Sequence, residues 1–397
     1  MENVTYRLTT NPGLEDIVAQ ELSERLSTVA PAMQIEMKPR GLAGVVLLYP
    51  FGVSGPAIGG DGGDREYDAF GTTPSGSSTE DAEARRQVES ALMGMRSVFH
   101  VIRHLRSERI SRTDTLDEIL EIVEETSFPE IRSEDTFRVT SKRSGSHGFR
   151  STDIEREAGA VVNRMTGMKV DLEHFSVHVR VDLSDHVCTV GLQLTRVGLD
   201  RRYSWEFRPR VALRTVVAYA MLRLARLHSA PRVVLDPFCG SGTVLLEAAA
   251  LYPEARLVGS DKVTECVEGA RANIRAAWPA GRIEVFEADA RDLAERWPAG
   301  SVDAVICNPP FGVRLGLKTD FMQLYTKFLR GVAHVLPAGG RAVFLGGKRR
   351  HHVGHIIQRI PELHLVHVRV IETGGVYPAI YVLERTHHAV DDRPGVS

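Results

Sequence analysis

The stretch LDPFCGSGTVLLEAA, residues 235–249, decides the fold of this chain. Small and polar residues at 239–242 separate an apolar run ending in an acid, Asp236, from a second apolar run. A strand that ends in a glycine-rich turn and opens a helix is typical of a parallel α/β sheet, whose ligands bind at that edge. The glycines let a ligand approach the backbone, and a helix beginning near Thr243 offers unpaired N–H groups.

Short apolar strands alternate with helical segments on both sides of this turn. The strands read RVVLD, RLVGSD, RIEVFEAD, VDAVICN and GRAVFLGG, and the helices between them include TECVEGARANIRAAW and FMQLYTKFLRGVAHVL. Such alternation predicts a mostly parallel sheet covered on both faces. The last two strand-like runs have no helix between them and predict an antiparallel hairpin at the sheet edge. We assign residues 211–390 to this Rossmann-like domain.

Three acids stand at successive strand ends and indicate the ligand. Asp236 precedes the glycine turn, where a carboxylate disfavours phosphate and suits a cationic group such as an ammonium or a sulfonium. The spacing also fits neither GxxxxGK[ST] nor GxGxxG. Asp261 ends the next strand, where an acid commonly binds a ribose hydroxyl, and Asp289 follows at the end of VFEAD, where it can accept from an adenine amine. The set predicts S-adenosyl-L-methionine, which fits better than a dinucleotide.

The motif Asn308-Pro309-Pro310-Phe311 ends the fourth strand and indicates the acceptor atom. Prolines lack the N–H donor, so local carbonyls face the pocket without competing donors, and Asn308 adds a side-chain acceptor. Together they can bind both hydrogens of a planar exocyclic amine and stabilise positive charge developing on its nitrogen. Phe311 can stack on the base. Cys239 and Cys307 are expected to be packing residues rather than nucleophiles.

Composition places the chain among ordinary globular proteins. Its 397 residues carry a formal net charge of −2, with 43% hydrophobic and 25% charged residues, so a nucleic-acid partner would need a local basic patch. The four cysteines form no CxxC pair, which argues against a zinc site or a disulfide scaffold. We expect no metal and no membrane association, and the lack of a signal segment predicts a cytoplasmic protein.

The N-terminal half predicts mixed α+β structure. In TNPGLEDIVAQELSERL, Asn11 is the expected helix cap and Pro12 the first helical residue. Residues 1–52 form one segment, and the Gly/Ser-rich residues 53–84 read as a flexible insert or linker. Residues 85–195 form a second α+β region, and 196–210 a linker to the catalytic domain.

Two basic stretches are candidate RNA contacts. RVTSKRSGSHGFR, residues 138–150, has no acid and predicts a mobile loop that either holds phosphates or is simply solvated. TRVGLDRRYSWEFRPRVALR contains Tyr203, Trp205 and Phe207, which either stack on nucleotides or pack between domains. The four predicted RNA-binding residues are Lys142, Arg143, Arg150 and Arg314.

These motifs together resemble the THUMP-domain RNA guanine-N2-methyltransferases. The resemblance rests on DPFCGSGTVLLEAA, GSD, EADARDL and NPPFGVRLG, on NPGLEDIVAQEL for a ferredoxin-like segment, and on residues 137–183 for a THUMP domain. It implies S-adenosyl-L-methionine-dependent methylation of guanosine N2 in the acceptor-stem region of tRNA, with the THUMP domain binding RNA. A small activating subunit is a further possible partner, and no feature of the sequence indicates whether one is needed.

By the same resemblance the site residues take roles. Asp236, Gly240, Gly242 and Thr243 would hold the methionine end, Asp261 the ribose and Asp289 the adenine. Asn308, Pro309, Pro310 and Phe311 would be the catalytic residues that hold the guanine. The full set of predicted cofactor-binding residues is Asp236, Pro237, Phe238, Gly240, Gly242, Thr243, Asp261, Lys262, Asp289, Ala290 and Asn308.

Two alternatives stay open on the residues alone. An adenine-N6 or ribosomal RNA guanine-N2 methyltransferase uses the same amine chemistry, so the pocket motif does not exclude it. A non-catalytic RNA-binding protein that retains the fold is the other alternative, against which the intact Asp236, Asp261 and Asn308 argue.

Overall fold

Two units make up the chain, Met1–Thr10 with Val18–Leu199 and Asn11–Ile17 with Asp200–Ser397. The computed structural model describes residues 4–52, 79–128, 131–209, 212–227, 231–277, 281–311, 321–347 and 350–386. Most of the predicted insert, residues 53–78, lies outside the described residues. A helix begins at Thr79, earlier than the predicted end of the insert at residue 84.

The first unit is built on a mixed sheet of nine described strands. They are β1 (Thr5–Thr9), β2 (Gln34–Met37), β3 (Val45–Tyr49), β4 (His100–Arg109), β5 (Thr136–Thr140), β6 (Arg143–Ser144), β7 (Lys169–Val170), β8 (Val177–Ser184) and β9 (Val187–Gln193). Their order is β2-β3-β1-β4-β9-β8-β5-β7, with β6 beside β8. The regions predicted as 1–52 and 85–195 therefore share one sheet, joined where β1 pairs with β4.

Four described helices alternate with these strands along the chain: α1 (Glu15–Leu26), α2 (Thr79–Met93), α3 (Asp117–Glu124) and α4 (Ser151–Thr166). One core cluster joins apolar side chains of α1 and α2 to β1, β3 and β4. A second joins α3 and α4 to β5, β8 and β9. In α3 the spacing of Ile119, Ile122 and Val123 puts all three side chains into that core.

Helix α1 begins later than the sequence pattern predicts. Gly13 has φ +95°, a backbone conformation that interrupts a right-handed helix. The Glu15 carboxylate accepts a hydrogen bond from the Gly13 N–H at 3.0 Å. Asn11 and Pro12 therefore precede the helix, and the predicted cap at Asn11 is wrong.

The second unit contains a seven-stranded sheet. Its strands are β10 (Val233–Asp236), β11 (Arg256–Asp261), β12 (Ile283–Glu287), β13 (Ala304–Cys307), β14 (Arg341–Gly346), β15 (Leu363–Val370) and β16 (Ala379–Arg385). Strands β10 to β14 pair in parallel. Strand β16 is antiparallel to both β14 and β15. The predicted α/β class, with a mostly parallel sheet and a C-terminal antiparallel hairpin, is confirmed.

The helices of this unit cover the sheet. They are α5 (Thr215–Leu224), α6 (Thr243–Leu251), α7 (Thr264–Ala277), α8 (Leu293–Arg296), α9 (Phe321–Val335) and α10 (Arg350–Ile357). Every residue of β13 and β14 is buried, as expected for strands covered on both faces.

The strand order β12-β11-β10-β13-β14-β16-β15 reverses direction between β10 and β13. Chain crossovers diverge at such a point and leave a crevice outside the carboxyl ends of the two strands. Asp236 ends β10, and Asn308 directly follows β13. The topology therefore brings the two predicted site residues to the same edge.

Among the described residues, no helix has the length and apolar character that crossing a bilayer requires.

Candidate active site

Residues 237–242, here called the glycine loop, connect β10 to α6. Gly240 and Gly242 have φ +50° and +83°, conformations that side-chain-bearing residues rarely adopt. The Gly242 N–H donates to the Cys239 carbonyl at 2.7 Å, and the Cys239 N–H donates to the Ser260 carbonyl at 2.9 Å. The loop is thus folded tightly against the end of β11.

Asp236 is the buried acid of the site. Its residue is 1% exposed, and its carboxylate accepts from the Phe238 N–H at 3.1 Å. Burial raises the pKa of Asp236 well above its ordinary value, and the nearby charge of Asp261 acts in the same direction. A carboxyl group in this environment favours a cationic ligand, which would relieve both effects.

Asp261 ends β11 as predicted and is bonded to the glycine loop. One of its oxygens accepts from the Gly240 N–H at 3.1 Å, and the other accepts from the Val263 N–H at 3.0 Å. The neighbouring Lys262 is exposed. The same carboxylate that is predicted to bind a ribose therefore also fixes the loop.

Asp289 lies beyond β12 rather than at its last residue. It caps the 3-10 helix Ala290–Asp292, and its carboxylate accepts from the Arg291 N–H at 2.9 Å. The Arg291 guanidinium donates to both carboxylate oxygens, with Nε at 3.0 Å from each. This side-chain hydrogen bond lowers the pKa of Asp289. The adenine contact assigned to Asp289 stays a prediction.

The Asn308-Pro309-Pro310-Phe311 turn presents an acceptor that has no partner in the described structure. The Oδ1 atom of Asn308 is buried, and no described group donates a hydrogen bond to it. Buried polar atoms without partners are rare, and each calls for an explanation such as a ligand. Pro309 is buried, and Phe311 is half-buried.

The aromatic core beneath this turn fixes its position. A Cβ added to Gly347 would lie 2.7 Å from the Cβ of Phe311, so only a glycine leaves room for that residue. Tyr325 is fully buried, with its hydroxyl 3.5 Å from the Pro310 carbonyl. Its ring stacks on Phe321 at a centroid distance of 4.2 Å.

The cysteines of this unit differ in exposure. Cys239 and Cys307 are 4% and 0% exposed, and burial raises the pKa of both thiols well above the ordinary value. A thiol that stays protonated is a poor nucleophile, which agrees with the packing role expected for both. Cys266, near the start of α7, is only partly buried, and its pKa is raised to about 11, chiefly by burial.

In the first unit, the basic segment at residues 138–150 was predicted to be a loop, but it contains the end of β5 and the short strand β6. Strand β6 within it pairs with β8. The His147 ring bonds to the Asp185 carbonyl at 2.7 Å, and Arg143 Nη1 lies 2.9 Å from His147 Nδ1. The segment therefore presents its cations on an ordered framework.

The predicted RNA-binding residues differ in exposure. Lys142 and Arg150 are exposed, and Arg143 is half-buried. Arg314 lies outside the described residues. The RNA contacts assigned to all four stay predictions.

The aromatic residues before α5 pack within the second unit, an arrangement that neither alternative for Tyr203 and Phe207 predicted. The Tyr203 hydroxyl donates to the Leu246 carbonyl at 3.1 Å, and a Cβ added to Gly269 would lie 2.2 Å from the Phe207 ring. Trp205 contacts Tyr203 edge to face. These residues therefore belong to the second unit, although they fall within the linker predicted at 196–210.

Sequence reasoning missed Asn273. This residue is fully buried on α7 and bonds to the carbonyl of Ser241 in the glycine loop at 3.0 Å. The available signal was a single amide in the apolar row of Val267, Ala270 and Ile274, all of which are buried. A polar residue at such a position needs a specific partner.

Family models match both units. The model described as "RMKL-like, methyltransferase domain" matches residues 202–378, and the THUMP domain model matches residues 113–193. The described residues include no group of three or more His, Cys, Asp or Glu side chains arranged to hold a metal ion.

Curated and solved proteins resemble the chain over most of its length. It is 36% identical to a tRNA (guanine(6)-N2)-methyltransferase of Thermus thermophilus, covering 76% of this chain and 88% of that protein. The crystal structure of TrmN from Thermus thermophilus matches with a TM-score of 0.69 and 32% identity, covering 96% of this chain and 99% of that one. A tRNA (guanine(6)-N(2))-methyltransferase of Bos taurus is 32% identical, and the match covers 69% of this chain but only 55% of that longer protein.

Proposed function

We propose the function of this chain from its family: the chain belongs to the THUMP-domain tRNA guanine-N2-methyltransferases, and it methylates the exocyclic N2 amine of a guanosine in tRNA. The observation that carries the proposal is the identity to the Thermus thermophilus enzyme over 88% of that protein's length. Asn308 Oδ1, which is buried at the switch point of the sheet and has no hydrogen-bond partner among the described residues, would supply the acceptor that this chemistry needs.

The residues at the glycine loop fit S-adenosyl-L-methionine. A Cβ added to Gly240 would have no other atom closer than 4.0 Å, so the backbone there is open to a ligand. Asp236 would accept from the ammonium group of the methionine end, which favours its ionised form. Asp261 would bind the ribose, and the Asp289 region the adenine. Pro237, Phe238, Thr243, Lys262 and Ala290 are the further residues assigned to this site.

The acceptor base would bind at the Asn308 turn. Asn308 Oδ1 and the Pro309 carbonyl would each accept one hydrogen of the N2 amine, and Phe311 would stack on the purine. These two acceptors stabilise the positive charge that develops on nitrogen as it forms the new bond.

Bound S-adenosyl-L-methionine supplies an electrophilic methyl group on sulfur. The N2 amine held at the Asn308 turn would take this methyl group, with S-adenosylhomocysteine as the leaving group and one proton released to solvent. The contribution of this chain is to align the amine and to exclude competing geometries, because positioning can supply much of the rate.

The first unit would bind the RNA. Lys142 and Arg150 expose their cations on the basic segment, and together with Arg143 they would contact phosphates, which position a nucleic acid without reading its sequence. Arg314, which follows the Asn308 turn in the second unit, would add a further phosphate contact. The acceptor-stem region of tRNA is the site we propose for the target guanosine. The cytoplasm is the compartment we propose, since this substrate is found there.

Methylation of unmodified tRNA by the purified chain tests this function. The tRNA is incubated with labelled S-adenosyl-L-methionine, digested to nucleosides and separated. We expect N2-methylguanosine, and its appearance without any added protein would also show that no activating subunit is required. N6-methyladenosine would instead establish the adenine alternative. Incorporation of label into ribosomal RNA but not into tRNA would show that ribosomal RNA is the substrate. Failure of S-adenosylhomocysteine to bind in calorimetry would favour the non-catalytic alternative.

A further inference from the structure

We propose that Asn273 is a positioning residue for the cofactor, which holds the glycine loop against the chain segment at residues 202–207. The inference rests on the proposed cofactor site at that loop. Asn273 lies on α7 and is 0% exposed. Asn273 is not one of the residues predicted to bind the cofactor or the acceptor base. Its effect on cofactor binding would therefore pass through the glycine loop.

The side-chain amide of Asn273 uses both of its chemical functions. Its Nδ2 donates to the Ser241 carbonyl at 3.0 Å and to the Phe207 carbonyl at 2.8 Å. Its Oδ1 accepts from the Phe207 N–H at 2.9 Å. Only Asn or Gln carries two donors and an acceptor on one planar group, and Asn is the shorter of the two. The site therefore specifies an asparagine.

The hydrogen bond from Asn273 to the Ser241 carbonyl holds the glycine loop between its two glycines. Ser241 lies between Gly240 and Gly242, both of which have positive φ and little intrinsic conformational preference. A loop of this kind needs external bonds to hold its N–H groups in one orientation. Asp261 provides one at Gly240, and Asn273 provides another at Ser241.

The segment at residues 202–207 contacts both helices that flank the loop. The Phe207 ring packs so closely on α7 at Gly269 that an added Cβ would lie 2.2 Å away, and the Tyr203 hydroxyl bonds to α6 at the Leu246 carbonyl. Asn273 joins this segment to the loop through Phe207. Cofactor affinity should therefore depend on a residue that touches no cofactor.

Asn273→Ala tests the inference. We expect at least a tenfold weaker Kd for S-adenosylhomocysteine by calorimetry, measured well below the unfolding temperature, and a similar rise in KM for S-adenosyl-L-methionine with little change in KM for tRNA. Asn273→Asp is a second variant that keeps the size and the acceptor but loses both N–H donors. It should change affinity in the same direction, and it should be no more stable than Asn273→Ala because its buried carboxyl would face two carbonyl oxygens.

Asn163→Ala is the matched control. The Asn163 amide donates to the Met168 carbonyl at 2.6 Å in the first unit, so its loss should lower the unfolding temperature without changing cofactor affinity. Wild-type Kd values in folded Asn273→Ala and Asn273→Asp would overturn the inference, because a purely structural role changes only stability. Absence of binding to the wild-type chain would instead contradict the proposed function.

Discussion

At the scale of single residues, Asp236 shows how stability and binding oppose each other. Its pKa is raised by burial, so the unfolded state releases its proton at a lower pH than the folded state does. Between these two pKa values the free energy of unfolding falls as pH rises. A bound ammonium group reverses the preference because it favours the carboxylate.

Asp236→Asn should therefore stabilise the unliganded protein and weaken cofactor binding. The stability advantage should be absent below the ordinary carboxyl value of 3.8 and should grow as pH rises above it, as measured by thermal unfolding across pH. Binding of S-adenosylhomocysteine should weaken at least tenfold. Glu284→Gln, at an exposed pair with Arg256, is the control and should leave the Kd unchanged. A variant that is less stable at neutral pH would contradict the assignment.

Asn308→Ala should abolish methylation while largely preserving cofactor binding. Removing one acceptor of developing charge costs roughly 100-fold or more in kcat, whereas Asp236 and the glycine loop are untouched. Asn308 is also among the predicted cofactor-binding residues, so we expect some rise in the Kd for S-adenosylhomocysteine, but one far smaller than the fall in kcat. Turnover equal to that of wild type in the tRNA assay would remove Asn308 from the catalytic residues.

At the scale of elements, hydrophobic periodicity and the residues at strand ends were enough to predict most of the second unit. The parallel strands, the start of α6 at Thr243 and the positions of Asp236 and Asp261 follow from local patterns. The start of α1 was predicted wrongly because Pro12 was taken as the first helical residue, whereas Asn11-Pro12-Gly13-Leu14 is a turn in which the Leu14 N–H donates to the Asn11 carbonyl at 3.0 Å. Asn273 was missed for a different reason, since its partners Ser241 and Phe207 are distant in sequence.

Gly259 in β11 illustrates an element-level constraint on the glycine loop. An added Cβ would lie 2.5 Å from Leu245 Cδ1 and 3.0 Å from Cys239 Cβ. Gly259→Ala should therefore destabilise the protein by about 1–3 kcal/mol through overpacking, and it should weaken S-adenosylhomocysteine binding by displacing Cys239.

Gly354→Ala is the control for that substitution. An added Cβ at this helical glycine meets no atom within 4 Å, and alanine in a helix is favoured by about 0.5–1 kcal/mol. Chemical denaturation of both variants compares the two sites. Equal stability of Gly259→Ala and wild type would show that β11 and α6 can separate without cost.

At the scale of the whole molecule, one cluster of buried ion pairs belongs to the first unit, whereas the described site residues belong to the second. In the first unit Arg7, 3% exposed, pairs with Asp182 at 3.1 Å, and Arg180 pairs with the same carboxylate at 2.8 Å. Burial acts to raise the pKa of Asp182, but the charges of Arg7 and Arg180 hold it below its ordinary value. The predicted cofactor residues all lie in the second unit.

Asp182→Ala should destabilise the first unit by about 3–5 kcal/mol, because it leaves buried cations without their partner, and it should leave the Kd for S-adenosylhomocysteine within about twofold. In the wild type this contribution should be present above the ordinary carboxyl pKa and lost as pH falls through the lowered value. Denaturation across pH measures both effects. The exposed pair of Asp117 with Arg112 provides the control, since Asp117→Ala should cost less than about 1 kcal/mol.

The unequal exposure of the described cysteines should allow one of them to be labelled selectively. The thiols of Cys188, Cys239 and Cys307 are buried, whereas Cys266 is partly accessible and follows Asp261 closely in sequence. A maleimide dye should therefore label Cys266 before the others at alkaline pH, without any mutagenesis. Its fluorescence should then report cofactor occupancy at the ribose subsite predicted at Asp261 in real time, so that the wild-type protein serves as its own titration probe.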